Sequence, residues 1–315
     1  MNKKIIHLGL PKTGTTFLQN IIYPKLCKKM NYHYIGKSGE KNKYYFQMMY
    51  LKYAISNNFE VKKKFGLKEN FFISHEGLLP GDPEYWENSA KKLKFFFGND
   101  PHIIIIIRQP SSFLSSIYQE HCLTQGYFID PERFFLDNDD YHLTANQPKF
   151  NIAKFDYDRL IKIFQKNFKN VTIFKFENIF KDKVFLNKIG LGKKITNEID
   201  FNSLAKKPVN TSLSIKGVKI IRFISKILNR FGLNMQPNKN NYLISDFEKY
   251  MQGTNYKTKK KKIDFNILSL FRNYIDPLLG SEKVKVNFKN IKIDISRHDK
   301  KYFKYSSIIT KQGNN

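Results

Sequence analysis

Residues 3–21 read KKIIHLGLPKTGTTFLQNI: an apolar run, a turn holding two glycines and a lysine, then a second partly apolar stretch. The run predicts a buried strand, and the turn predicts a loop that opens a helix. Gly9 and Gly14 have the spacing of the nucleotide-triphosphate loop G-x-x-x-x-G-K-[ST]. In that loop backbone amides cradle phosphates, and the lysine after the second glycine reaches the β and γ groups. Here Thr15 stands in the lysine's place and Lys12 lies inside the turn. Gly14 permits a tight turn, the amides of Thr13, Gly14, Thr15 and Thr16 point at an anion, and the hydroxyls of Thr15 and Thr16 add donors.

Outward from this loop, KIIHLG (4–9), FFIS (71–74), HIIIII (102–107) and VTIFKF (171–176) have the unbroken apolar character of strands buried on both faces. Helix-like stretches alternate with them near 15–30, 43–57, 84–97, 110–124 and 152–167. The pattern predicts an α/β fold: a P-loop NTPase-like three-layer domain with a central parallel β-sheet and ligands at the carboxyl ends of its strands. No Pro/Gly/Ser linker divides the first 200 residues. One domain is expected over 1–315, with a core at about 3–200 and a lysine-rich, helical C-terminal extension at about 206–315.

The 315 residues carry 55 Lys and Arg against 27 Asp and Glu, a net charge of +28. Such a charge suits a nucleotide, an acidic glycan, an anionic membrane surface or nucleic acid. A chain-wide drift toward Lys, Asn, Ile and Phe explains it equally well. The two cysteines, Cys27 and Cys122, form no C-x-x-C, so neither a disulfide framework nor a zinc site is indicated. The apolar residues after the basic start are broken by Gly9 and Pro11, which fits a first strand rather than a signal peptide. Ile103 to Ile107, the longest aliphatic run, falls far short of the roughly 20 residues that span a bilayer. A soluble, cytoplasmic chain is expected.

The third strand exit reads IIIIIRQPSSFLSSIYQEH (103–121), with Arg108 at the strand end, Pro110 in the first turn of a helix and Ser116 six residues later. A guanidinium fork and a hydroxyl converging on one anion suit a phosphate. At the second exit, NFFISHEGLLPG (70–81) offers His75 and Glu76 as general bases for a hydroxyl acceptor. Consecutive strand residues face opposite sides, so one of the two is expected in the site.

LPKTGTTFL (10–18) closely resembles the 5′-phosphosulfate loop of sulfotransferases that use 3′-phosphoadenosine 5′-phosphosulfate, the bacterial carbohydrate-type members in particular. The resemblance implies that Lys12 stabilises the leaving phosphate, that Phe17 lies near the adenine, and that Thr13, Gly14, Thr15 and Thr16 hold the 5′-phosphosulfate. It implies that Arg108 and Ser116 hold the 3′-phosphate, Tyr118 completing an S-x-Y pattern. For the base it is divided: His75 fits the T-H of cytosolic members, and Glu76, the preferred candidate, fits the S-x-E-G of bacterial ones. VTIFKFENI (171–179) resembles the family's strand ending Y-E-D-L, with Glu177 in a structural place, and KKPVNTSLS (206–214) resembles a nucleotide-closing loop, with Asn210 and Ser212 as weak candidates. No metal is implied.

Beyond the core, residues 214–231 put Ile215, Val218, Ile221, Ile224, Leu228 and Phe231 on one helical face and Lys216, Lys219, Arg222, Lys226 and Arg230 largely on another. Such a helix packs its apolar face on the domain, lies on an anionic membrane surface or binds an acidic glycan. The run Lys259 to Lys262 is read as a solvated loop. Residues 126–150 and the helices after 213 are expected to shape a pocket for the acceptor, with a glycan or glycolipid as the expected class, a small phenol or alcohol as the alternative, and no specific nucleic acid. Two alternatives stand beside the sulfotransferase: a P-loop kinase or NTPase, and a non-catalytic module for acidic polysaccharide or nucleic acid.

Overall fold

The computed structural model describes residues 4–36, 70–125, 130–143, 149–179, 214–230, 293–306 and 308–311, together with positions 51, 54, 55, 185, 278, 288 and 291. Asn210, Ser212, the Lys259 to Lys262 run and the apolar stretch 264–279 lie outside these residues, apart from Leu278.

Six strands form the main sheet: β1 (Lys4–Leu8), β2 (His33–Ile35), β3 (Phe71–His75), β4 (His102–Ile107), β7 (Asn170–Lys175) and β8 (Ile308–Lys311), in the order β2-β3-β1-β4-β7-β8. The first five run parallel and β8 is antiparallel to β7. The four strands expected from apolar runs are all present. Their side chains are buried on both faces, which is why they read as unbroken apolar segments rather than alternating ones. Two-residue strands β5 (Phe135–Leu136) and β6 (Phe150–Asn151) pair separately.

Helices cover both faces. After β1 the chain continues through α1 (Thr15–Phe17), a π-helical stretch (Leu18–Ile22) and α2 (Tyr23–Lys29). Phe17, Leu18, Ile22, Tyr23 and Leu26 pack there with Ile5, Phe72, Ile104, Ile106 and Phe174. The opposite face holds α3 (Trp86–Phe97), α4 (Pro110–Gln125), α7 (Tyr157–Asn167) and α10 (Ile295–Lys304), whose buried side chains meet Ile6, Leu8, Ile73, Ile103, Ile105 and Ile173. Short helices α5 (Pro131–Phe134), α6 (Asn138–Leu143) and α8 (Phe176–Ile179) lie between larger elements, and α9 (Ile215–Arg230) follows the core. The result is a three-layer α/β arrangement with a mostly parallel central sheet.

The chain leaves β1 toward one face and leaves β3 and β4 toward the other. Crevices at strand carboxyl ends, where successive connections part to opposite faces, are where such sheets bind ligands. β1 lies between β3 and β4 in register, Leu8 opposite His75 on one side and Ile105 on the other. The exits of these three strands therefore meet at one edge. The C-terminal stretch, expected to be helical, supplies α9 and α10 and also a strand, β8.

Candidate anion-binding site

The loop after β1 takes its shape from two left-handed residues. Gly14 (φ 73) is the N-cap of α1, and its carbonyl accepts from the amides of Phe17 and Leu18 at 3.1 and 3.2 Å. Lys12 also has a positive φ, 66, a conformation uncommon for a residue with a Cβ and concentrated at functional sites. Thr13 is buried and donates its hydroxyl to Leu10 O at 2.6 Å, closing the turn. First-turn amides of a helix have no intrahelical acceptor, and those of Thr15 and Thr16 hold that position in α1. Gly9 is required here for close packing: a Cβ at that position would run into Thr15 Cγ2 and lie 3.1 Å from Thr15 Cβ.

Arg108, three residues beyond the point level with Leu8 on β4, joins this loop to α4. Its Nη1 donates to Lys12 O at 3.2 Å and to Ser116 Oγ at 3.0 Å. The guanidinium lies 5.2 Å over the Phe176 ring. Burial pulls its pKa down from the ordinary value, and the nearby Glu177 carboxylate acts in the opposite direction. Tyr157 fixes the Arg108 main chain by donating its hydroxyl to Arg108 O at 2.8 Å. The loop lysine turns toward the same helix: Lys12 Nζ donates to Glu120 Oε2 at 2.6 Å.

From β3, Glu76 opens a 3₁₀ turn (Glu76–Leu78) and reaches the loop, its Oε1 accepting from Thr15 Oγ1 and, at 3.3 Å, from Thr16 Oγ1. The described residues give Oε2 no partner of this kind. His75 faces away into its own turn, where Nδ1 accepts from the Gly77 amide at 2.7 Å. Of the two residues, Glu76 is the one brought to the loop.

Thus Lys12, Thr15, Thr16, Glu76, Arg108 and Ser116 come together, although they arise from three strand exits and are separated by up to about a hundred positions in sequence. Two further residues of the motifs are buried in the fold. Phe17 is buried among the side chains beneath α1, and Tyr118 is buried against Phe134 and Phe135. Glu177 takes a structural position, accepting from the Gln109 amide at 3.2 Å and from the Tyr302 hydroxyl.

Three contributors carry no signal of their own in the sequence. Glu120 has the look of a solvated helix position. Asp299 of α10 accepts from the Ser111 amide at 3.0 Å and from Gln109 Nε2 at 3.3 Å, and so caps α4 from 188 positions away. His7 is fully buried one layer below the loop, with Nδ1 2.7 Å from Ser74 Oγ and the Tyr23 ring 5.1 Å away. Spacing from a recognised motif could have flagged Glu120, one helical turn after Ser116. The other two are defined only by tertiary contacts.

Among the described residues no group of three or more His, Cys, Asp or Glu side chains is placed to hold a metal ion, and no helix is long and apolar enough to cross a membrane. No protein-family model matches the chain, and no curated protein matches it significantly.

Proposed function

We propose that the chain is a sulfotransferase that moves a sulfuryl group from 3′-phosphoadenosine 5′-phosphosulfate to an acceptor hydroxyl, on a glycan or glycolipid. The observation that carries the reading is the pair of hydrogen bonds that Arg108 donates, one to the Lys12 carbonyl and one to Ser116. It joins the anion-binding loop of β1 to the arginine–serine pair of β4 and α4, as a donor with phosphate at both its 3′ and 5′ positions requires. The order of the sheet, with β1 between β3 and β4, supports a P-loop-like version of the fold.

In this reading the amides and hydroxyls of Thr15 and Thr16 bind the 5′-phosphosulfate, and Arg108 with Ser116 binds the 3′-phosphate. Glu76 takes the acceptor's proton at Oε2 while the acceptor oxygen bonds to sulfur and the bond from sulfur to the bridging oxygen breaks. Lys12 meets the charge that develops on the departing phosphate. The products are the sulfate ester and 3′,5′-diphosphoadenosine. The turn that occupies His75 Nδ1 favours Glu76 as the base. On α9, Lys216, Lys219 and Arg230 are exposed beside Phe223 and Ile227, which suits an acceptor presented at an anionic membrane surface.

One observation favours a second reading. A strand-end carboxylate bonded to two loop hydroxyls, as Glu76 is, has the makings of the Mg²⁺ site of a P-loop kinase or NTPase. Thermal-shift titration with 3′,5′-diphosphoadenosine, and separately with ATP and Mg²⁺, separates the two. The sulfotransferase reading expects stabilisation by the diphosphate, weakened about 10- to 100-fold in Arg108→Ala through loss of a charged hydrogen-bond donor. Stabilisation by ATP and Mg²⁺ alone would refute it.

A further inference from the structure

The loop contains one lysine, and its ammonium is held by a carboxylate. Lys12 Nζ lies 2.6 Å from Glu120 Oε2, a pair formed across 108 positions of sequence, with side chains 22% and 39% exposed. Glu120 lies on α4 one turn beyond Ser116, the residue that accepts from Arg108. Lys12 is therefore fixed at both ends from the same side of the site, its carbonyl by Arg108 and its ammonium by Glu120. Its left-handed backbone restricts where the side chain can go.

A negative charge beside a loop built to receive a multiply charged anion opposes binding of that anion. It persists without disrupting the site because the pair is partly exposed, and ion pairs of this kind are weak and readily exchanged. We propose that Glu120 is a positioning residue: it holds Lys12 in a resting ion pair, and an arriving phosphate takes its place. Lys12 moves from the carboxylate to a phosphate oxygen, and no bond is made or broken covalently. The exchange sets how tightly the donor binds and keeps the loop's cation in place when no anion is present. As regards the donor, this inference rests on the sulfotransferase reading; the exchange itself requires only an anionic phosphate.

Calorimetric titration of the wild type, E120Q and the K12A/E120Q double variant with 3′,5′-diphosphoadenosine and with inorganic pyrophosphate tests it. E120Q should bind both ligands about tenfold more tightly, the effect of removing one opposing charge within a few ångströms at a partly exposed site. The gain should vanish in the double variant, because it acts through Lys12. Unchanged or weaker binding by E120Q would overturn the proposal, as would a gain that survives loss of Lys12. E120D retains the charge and should bind both ligands as the wild type does; a tenfold gain in E120D would overturn the proposal, and this arm stands if E120Q fails to fold. If the wild type binds pyrophosphate but not the diphosphate, the sulfotransferase reading fails and the exchange is decided on pyrophosphate. If neither the wild type nor E120Q binds either ligand, the exchange is refuted.

Discussion

His7 ties stability to pH at a point directly beneath the site. It is fully buried, it bonds Ser74 through Nδ1 at 2.7 Å, and Nε2 has no partner among the described residues; burial lowers its pKa from 6.5 to about 3. The folded chain therefore keeps the imidazole neutral, whereas the unfolded chain takes up a proton below about pH 6.5. Stability from this group is fully present above that pH and is lost progressively as the pH falls toward 3. One proton of difference is worth about 1.4 kcal/mol per pH unit, or about 2 kcal/mol between pH 6 and 4.5. His7→Asn keeps an amide near the Nδ1 position for Ser74 but does not titrate. Urea unfolding followed by circular dichroism from pH 4.5 to 7.5 should show the wild type losing that amount relative to the variant. His121 and His298, whose pKa values burial also lowers, are common to both proteins and cancel in the difference. Parallel curves for the two proteins would refute the account. His7 faces Ser74 across the β1–β3 pairing, one residue before Leu8 and His75.

Gly9→Ala should cost about 1–3 kcal/mol by overpacking against Thr15 and abolish anion binding, read by denaturant titration and by calorimetry with pyrophosphate. Asp299→Ala removes the acceptor that caps α4 and should cost about 1 kcal/mol, lowering the melting temperature by about 2–4 °C. Burial alone would raise the Asp158 carboxyl, but the Lys301 ammonium, 2.5 Å away, and the Tyr305 hydroxyl hold it below its usual value. That contribution is present above the unfolded pKa of about 3.9 and lost as pH falls through the lower folded value. Lys301→Met should therefore destabilise at pH 7, and the gap from the wild type should narrow in acid unfolding curves.

The parts of the fold legible in the sequence are those with a dense local signal. HIIIII and VTIFKF are strands buried on both faces, and TGTT with Pro110 marks two helix starts. β2 is three residues of mixed character, HYI, and its pairing with β3 rather than its composition makes it a strand. α10 buries only Ile295 and Tyr302 of its ten residues, too few for an apolar stripe to stand out among its charges. Within the site, Lys12, Thr15, Arg108 and Ser116 follow from spacing. The choice between His75 and Glu76 depends on which side chain the 3₁₀ turn retains, and the sequence holds no signal for that. Glu120 pairs across the sheet edge with a residue that no periodicity links to it.

The last strand of the sheet has a consequence for how the protein is made. β8 pairs with β7 along Val171 to Phe174, and Lys175 donates to Tyr305 O at 2.5 Å across 130 positions of sequence. Until residues 308–311 emerge from the ribosome, β7 presents an unpaired edge, and unpaired edges invite association with other chains. Synthesis adds about 5–20 residues per second, so this edge waits on the order of ten seconds for its partner. A chain cut short before β8 should collect in aggregates even with every residue of the candidate site in place.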